Sequence, residues 1–364
     1  MRAALGRLWD QFVGSGEAAV TLPPLDGALR PNQEIEQADL VAEAPSADNL
    51  ARDGDRTVLS SEATLLALRP GGGTEPVHGF GQAITALAGA PDGGLAVGLA
   101  DGTIVLRGGS RGGRSLALPP ELGRFGPTAL LFDGTDTLLA CTGSARNPPG
   151  EWKRDLMGRE AAGAVLRIDL NGSAPPQVLA SGLAYPNGLA LDQAGLVVAE
   201  SWRHRLVRLD AGGKRSTVLD DLPGYPARLA PAADGRGAWL AVFAPRSQLI
   251  EFILREPSYR NRMMREVDPR YWMSPALSAP RSFLEPLQGG AIKQLGMMKP
   301  WAPSRSYGLV VRLDAGFQPV ASLHSRADGQ RHGITSCLDT GNALLLTSRG
   351  SDTVLAAVTA GGHA

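Results

Sequence analysis

Cysteine is scarce in this chain: Cys141 and Cys337 are the only two in 364 residues. Thiols so far apart make neither a disulfide framework nor a metal-type spacing, so both read as buried strand residues. Aromatics are few, at 5% of the sequence. No run of about 18 apolar residues occurs, which argues against a membrane-spanning helix. A charge excess of either sign is also missing. Lys+Arg and Asp+Glu balance at 36 each, so nothing marks nucleic acid or an anionic membrane as the main partner. Residues 1–20 lack the unbroken apolar core of a signal peptide, because Asp10, Gly14, Ser15 and Glu17 interrupt it. Leu5, Leu8, Trp9, Phe12 and Val13 instead share one face of a short helix, and residues 1–40 read as that helix plus a lead-in. The expected compartment is cytoplasmic, with peripheral membrane association through this N-terminal face as the alternative.

Glycine and proline, by contrast, are plentiful, at 46 and 27 residues, and they are scattered between apolar runs. That distribution means many turns. The clearest unit is Tyr185-Pro186-Asn187-Gly188-Leu189-Ala190-Leu191-Asp192, followed by Leu196-Val197-Val198-Ala199 and Arg205-Leu206-Val207-Arg208-Leu209. It alternates apolar strands with tight turns. Comparable units open at Asp48-Asn49-Leu50, Ile84-Thr85-Ala86, Thr128-Ala129-Leu130, Ala227-Arg228-Leu229 and Gly333-Ile334-Thr335. Asp92-Gly93, Asp133-Gly134, Asp234-Gly235 and Gly341-Asn342 supply hairpin turns. Six such units predict an all-β fold, a six-bladed β-propeller over residues 41–364 whose blade edges are protected by ring closure. In the fifth unit Leu249-Ile250-Glu251-Phe252 reads as a strand, and Tyr307 to Leu313 as a strand near the junction of the first and last blades.

Residues 253–300 break the plan. They carry a helix-like basic run, Tyr259 to Arg265, then Tyr271-Trp272-Met273, Phe283-Leu284 and Met297-Met298. A segment this long is expected to form a helical or irregular excursion after the fifth blade. Two readings follow: a packed connector over the rim, or a lid or partner surface over the face that carries Asn187.

The motifs Tyr185-Pro186-Asn187-Gly188, Val198-Ala199-Glu200-Ser201 and Leu222-Pro223-Gly224-Tyr225-Pro226, with Leu29-Arg30-Pro31-Asn32 and the stretches around His324 and Thr347-Ser348, resemble the strictosidine synthase-like family. That family falls within the wider gluconolactonase/regucalcin-like propeller group, whose hydrolases hold calcium at the mouth of the central channel. The resemblance implies a pocket there for a small-molecule substrate, anionic or apolar. Carried onto this chain, the calcium ligands fall on Asp48, Thr128, Asn187 and the Pro226-Ala227-Arg228-Leu229 segment, which lacks the Asp and Asn expected of it. Calcium wants oxygen donors, and a guanidinium offers only N–H donors with a fixed positive charge. No metal or other cofactor is therefore expected, although Asp48 and Asn187 are the residues that would suit one. The acid/base glutamate of the plant enzyme falls near Thr335 or Ser336, whose hydroxyls do not suit that proton transfer.

The expected catalytic set is His332 as acid/base, Asn187 as orienting amide and Arg228 as electrostatic clamp, paired with Asp48 or with an anionic ligand. Asp48, Thr128, Trp152, Thr335 and Ser336 are expected to line the substrate site. His204 reads as an exposed hairpin residue, and His78, His324 and His363 as loop or tail residues. The function expected is that of a lactone or ester hydrolase rather than a true strictosidine synthase; the alternative is a non-catalytic propeller scaffold that binds through 253–300.

Overall fold

A computed structural model describes residues 22–122, 125–282, 284–286, 293–294, 297–298 and 305–358. The N-terminal helix expected within residues 1–20, Phe283 and His363 lie outside the described residues. Six antiparallel sheets of four strands form the blades of a β-propeller. Blade one begins with the inner strand Ala47–Asp53, blade two with Ile84–Gly89, blade three with Ala129–Asp133, blade four with Pro186–Asp192, blade five with Gly224–Pro231 and blade six with Ile334–Asp339.

The second strands are the most apolar, because they are buried on both faces. Leu95–Leu99 and Ala238–Pro245 are buried along their whole lengths, the pattern of strands covered by a neighbouring blade on each side. Cys141 and Cys337 are buried free thiols within this core. The ring closes where Asp39–Glu43 pairs with Thr353–Ala357 as the outer strand of blade six.

Two strand assignments need correction. Gln248–Arg255 is a helix, not a strand. Ile250, Ile253 and Leu254 are buried while Leu249 and Phe252 are exposed, which is helical periodicity and not alternation. The third strand of blade five is Leu309–Leu313, paired with Ala238–Pro245 on one side and Pro319–His324 on the other. The excursion therefore lies inside blade five, between its second and third strands. It is also built into the core. Ile250, Ile253, Met263 and Trp272 share one buried cluster with Tyr225, Phe243, Leu346 and Leu355 of the blades. Such packing makes it a fixed cover and not a loop draped over the rim. Met297–Met298 pairs with Lys293–Gln294 in a short backbone ladder.

Further helices serve the same cover: α1 (Trp152–Gly158) from blade three, α2 (Gln248–Arg255) and α3 (Pro257–Glu266). Among the described residues no helix is long and apolar enough to cross a membrane.

Candidate functional site at the strand heads

The inner strands of every blade except the third share a local irregularity. Their register shifts within Asp48/Ala51, Ile84/Ala86, Pro186/Gly188, Pro226/Leu229 and Ile334/Ser336. A bulge leaves the skipped residue out of the ladder and re-aims its side chain. The skipped positions include Thr85, Asn187, Arg228 and Thr335. Blades four and five approach closely here: a Cβ on Gly188 would meet the Ala227 carbonyl oxygen at 2.2 Å, so only glycine fits.

Arg228 ties the centre together. From blade five its Nη1 donates to Asp48 Oδ1 of blade one at 2.8 Å and to the Thr335 carbonyl of blade six at 3.2 Å. Its Nη2 donates to the Thr85 carbonyl of blade two at 3.0 Å. One side chain that reaches four blades must lie near the propeller axis. Its Nε is buried with no hydrogen-bond partner among the described residues. The second oxygen of Asp48 receives Arg349 Nη1 at 3.3 Å, and its first also accepts the Asn49 backbone N–H at 2.8 Å.

The other expected residues fall into two groups. Asn187 is half-buried, and its side chain makes no hydrogen bond to the described residues. The rest are committed to structure. Thr128 Oγ1 donates to the Pro186 carbonyl at 2.5 Å, Thr335 Oγ1 bonds Thr347 Oγ1 at 3.2 Å, and Ser336 Oγ accepts the Leu50 N–H at 2.9 Å. Trp152 lies on α1, edge-on to Phe243 at 5.4 Å and tilted against Trp202 at 6.2 Å.

His332 is not placed for acid/base work. It is fully buried, its Nδ1 bonds Ser306 Oγ at 2.9 Å and its Nε2 faces the Arg326 carbonyl at 2.7 Å. Burial also holds its pKa below the usual imidazole range. The exposed and loop assignments of two other histidines are likewise corrected. His204 is buried, with Nδ1 on the Gly224 carbonyl at 3.1 Å and Nε2 3.4 Å from Glu251. His324 ends a strand, fully buried against Tyr307 and Ser322, and burial lowers its pKa to about 4.

Sequence reading missed the aromatic wall beside Asn187. Tyr185 stacks on Trp202 with ring centroids 4.4 Å apart. Trp202 Nε1 donates to Asp155 Oδ1 at 2.8 Å. Tyr185 holds φ +59°, which is strained for a bulky residue and doubly so before proline. Such strain, about 1–3 kcal/mol, persists where surrounding contacts over-determine it. Burial, then Asp155, push its phenol well above the ordinary value, while Arg228 and Arg349 pull the other way. The phenol is thus within electrostatic reach of the axis.

The donor set does not fit a hard dication. Its single carboxylate, Asp48, already carries two guanidinium groups. Thr128 turns its hydroxyl to a carbonyl, and among the described residues no three His, Cys, Asp or Glu side chains converge on one point. Like charges 4 Å apart repel by about 4 kcal/mol per unit charge at an effective dielectric of 20, so Arg228 and Arg349 oppose calcium at this position.

No family model and no curated protein matches the sequence. The likeness is in the fold. A gluconolactonase from Xanthomonas campestris superposes with a TM-score of 0.52 at 15% identity, covering 87% of each chain. Regucalcin from Agrobacterium tumefaciens, described as a calcium-binding protein, gives a TM-score of 0.51 at 13% identity over 88% of this chain and 92% of its own. At such identities the fold alone is shared, a six-bladed β-propeller.

Proposed function

We propose that this protein acts on a small molecule at the mouth of the channel, as a hydrolase of a lactone or ester that works without calcium. The observation that supports this reading is Arg228, which holds Asp48 at the axis, while Asn187, skipped from the ladder at the head of the blade-four inner strand, is half-buried and without a side-chain partner among the described residues. The chemistry follows from those groups. Asp48 Oδ2, engaged among the described residues by the long contact from the half-exposed Arg349, accepts a proton from water as the water oxygen attacks the acyl carbon. The acyl–oxygen bond then breaks, and Asp48 returns that proton to the leaving alkoxide. Asn187 orients the carbonyl, and the two guanidinium groups favour the developing oxyanion. True strictosidine formation is not supported, because Thr335 and Ser336 stand where a carboxylate acid/base would be needed.

The test is turnover of a panel of aliphatic and aromatic lactones and esters in the presence of a chelator. We expect activity with the wild type, a fall of at least about a hundredfold in Asn187→Ala and little change in its melting temperature. Activity that appears only with added calcium, or none with any lactone or ester, overturns the reading. A second reading, a non-catalytic scaffold, is favoured by one fact: both terminal nitrogens of Arg228 are already satisfied within the protein. It predicts that Asn187→Ala lowers only stability.

A further inference from the structure

A second charged centre lies outside the axis. A cleft of about 680 Å³ opens between blade four, α1 and α2. Trp202, Leu156 and Leu254 supply its apolar wall, and Arg159, Arg246 and Arg255 line it as well. The cations here are unevenly matched. Arg159 Nη1 donates to the Leu254 carbonyl at 3.1 Å, and Arg260 Nη1 donates to the same oxygen. Two guanidinium groups thus share one neutral acceptor near the C-terminus of α2. Among the described residues neither pairs with a carboxylate. Burial lowers the proton affinity of Arg255 and Arg260; Glu251 opposes this at Arg255, and Arg159 adds to it at both, with Arg246 also acting on Arg255. That mutual repulsion is the mark of like charges within reach of one another.

The acidic residues nearby are mostly engaged elsewhere. Glu160 pairs with Arg146, Glu200 takes Arg203 and Arg205 from beneath, and Glu251 is held by Tyr225 and His204. Asp221, exposed, takes one nitrogen of Arg246 at 2.5 Å, and Asp220 remains at the rim. Arg246 is itself 6% exposed. The Nε atoms of Arg246 and Arg260 are both buried with no hydrogen-bond partner among the described residues. A buried donor without an acceptor is costly, and a planar guanidinium matches the oxygens of carboxylate and phosphate. Arg159 caps α1 at φ +56°, a left-handed conformation that glycine adopts far more readily; an arginine kept there suits a role for its side chain.

We propose that this cleft binds a small oxyanion, a carboxylate or phosphate group, whose apolar body rests against Trp202 and Leu156. Asp48, Asn187, Arg228 and Arg349 do not line this cleft, and the proposal does not depend on hydrolytic activity. The experiment uses the full-length protein, with phosphate, phenyl phosphate and benzoate as probes in calorimetry and thermal shift. Phenyl phosphate should bind at least tenfold more tightly than inorganic phosphate and raise the melting temperature. Arg159→Ala and Arg260→Ala should each weaken it at least fivefold, while Arg228→Lys leaves it unchanged. Benzoate binding with the same arginine dependence would assign a carboxylate ligand, and preference for phenyl phosphate a phosphate. Arg159→Lys, which keeps the charge and loses the fork, should recover only part of the affinity. The proposal is overturned if none of the three probes binds at millimolar concentration. It is equally overturned if Arg228→Lys abolishes binding while Arg159→Ala and Arg260→Ala do not.

Discussion

At the axis, Arg228 spreads its guanidinium over a carboxylate and two carbonyls, whereas in the cleft Arg159 and Arg260 crowd onto one carbonyl oxygen. Both centres use arginine; the first joins inner strands of the blades, the second lies against α1 and α2. They differ in what completes them. The axial charge is matched by a carboxylate within the chain and ties blades together; Arg159 and Arg260 have no carboxylate partner among the described residues. The same residue type is thus a strut in one place and a receptor in the other, and the partner count tells them apart.

The largest expected effect falls on a buried carboxylate that lines the cleft, Glu251. Burial alone would raise the pKa of Glu251, but His204, Arg246 and the Tyr225 hydroxyl outweigh it and hold the group at about 2. An unfolded glutamate titrates near 4.3. Because the folded value is the lower one, this stabilisation is complete above about pH 4.5 and is lost as pH falls toward 2. Glu251→Ala should cost about 3 kcal/mol at neutral pH, since it strips the buried His204 and the Tyr225 hydroxyl of the carboxylate they share, and should flatten the acid limb of the stability curve. Urea unfolding across that range checks both, and an unchanged acid limb would show that Glu251 carries no such linkage.

A smaller effect is expected at the axis. Arg228→Asn removes charged hydrogen bonds worth on the order of 2 kcal/mol, with Arg349 still able to hold Asp48. It should also create a calcium affinity, read by calorimetry on chelator-treated protein, that is expected to be absent from the wild type. Tight calcium binding by the wild type would refute the view that Arg228 replaces a cation.

The smallest effect concerns Lys153 on α1. Burial first, then Arg305, lower its pKa to about 8, with Glu285 in partial opposition. Its charged form is penalised in the folded state, so stability should rise from about pH 8 to about 10.4, where an unfolded lysine loses its proton. Lys153→Met should stabilise the protein at pH 7 by less than about 1 kcal/mol, given partial exposure and solvent screening. That advantage should vanish above about pH 10 in thermal unfolding.

Much of this architecture could be read from the chain, for local reasons. Asp-Gly and Gly-rich turns between apolar runs mark hairpins wherever they occur, so the blades were legible one by one. Asn187 and Arg228 were legible as strand-head residues by their position in each repeat. What escaped was non-local. Arg349 reaches Asp48 across 301 residues of sequence, and no short-range pattern announces it. Gln248–Arg255 misled because a short apolar run suits strand and helix alike; the burial of Ile250, Ile253 and Leu254 on one face decided the matter. His332 looked available because it precedes an inner strand, and only the packing of Ser306 and Arg326 around it shows that both ring nitrogens are occupied.

The pairing of Asp39–Glu43 with Thr353–Ala357 has a temporal meaning. During synthesis the outer strand of blade six leaves the ribosome about 310 residues ahead of its partner. Until that partner emerges the strand has no mate, and blade one has no neighbour on one side. Closing the ring is then a long-loop event of the kind that sets slow folding in β-rich chains. A nascent chain stalled before residue 353 would present unpaired edges, a ready target for chaperones or for aggregation.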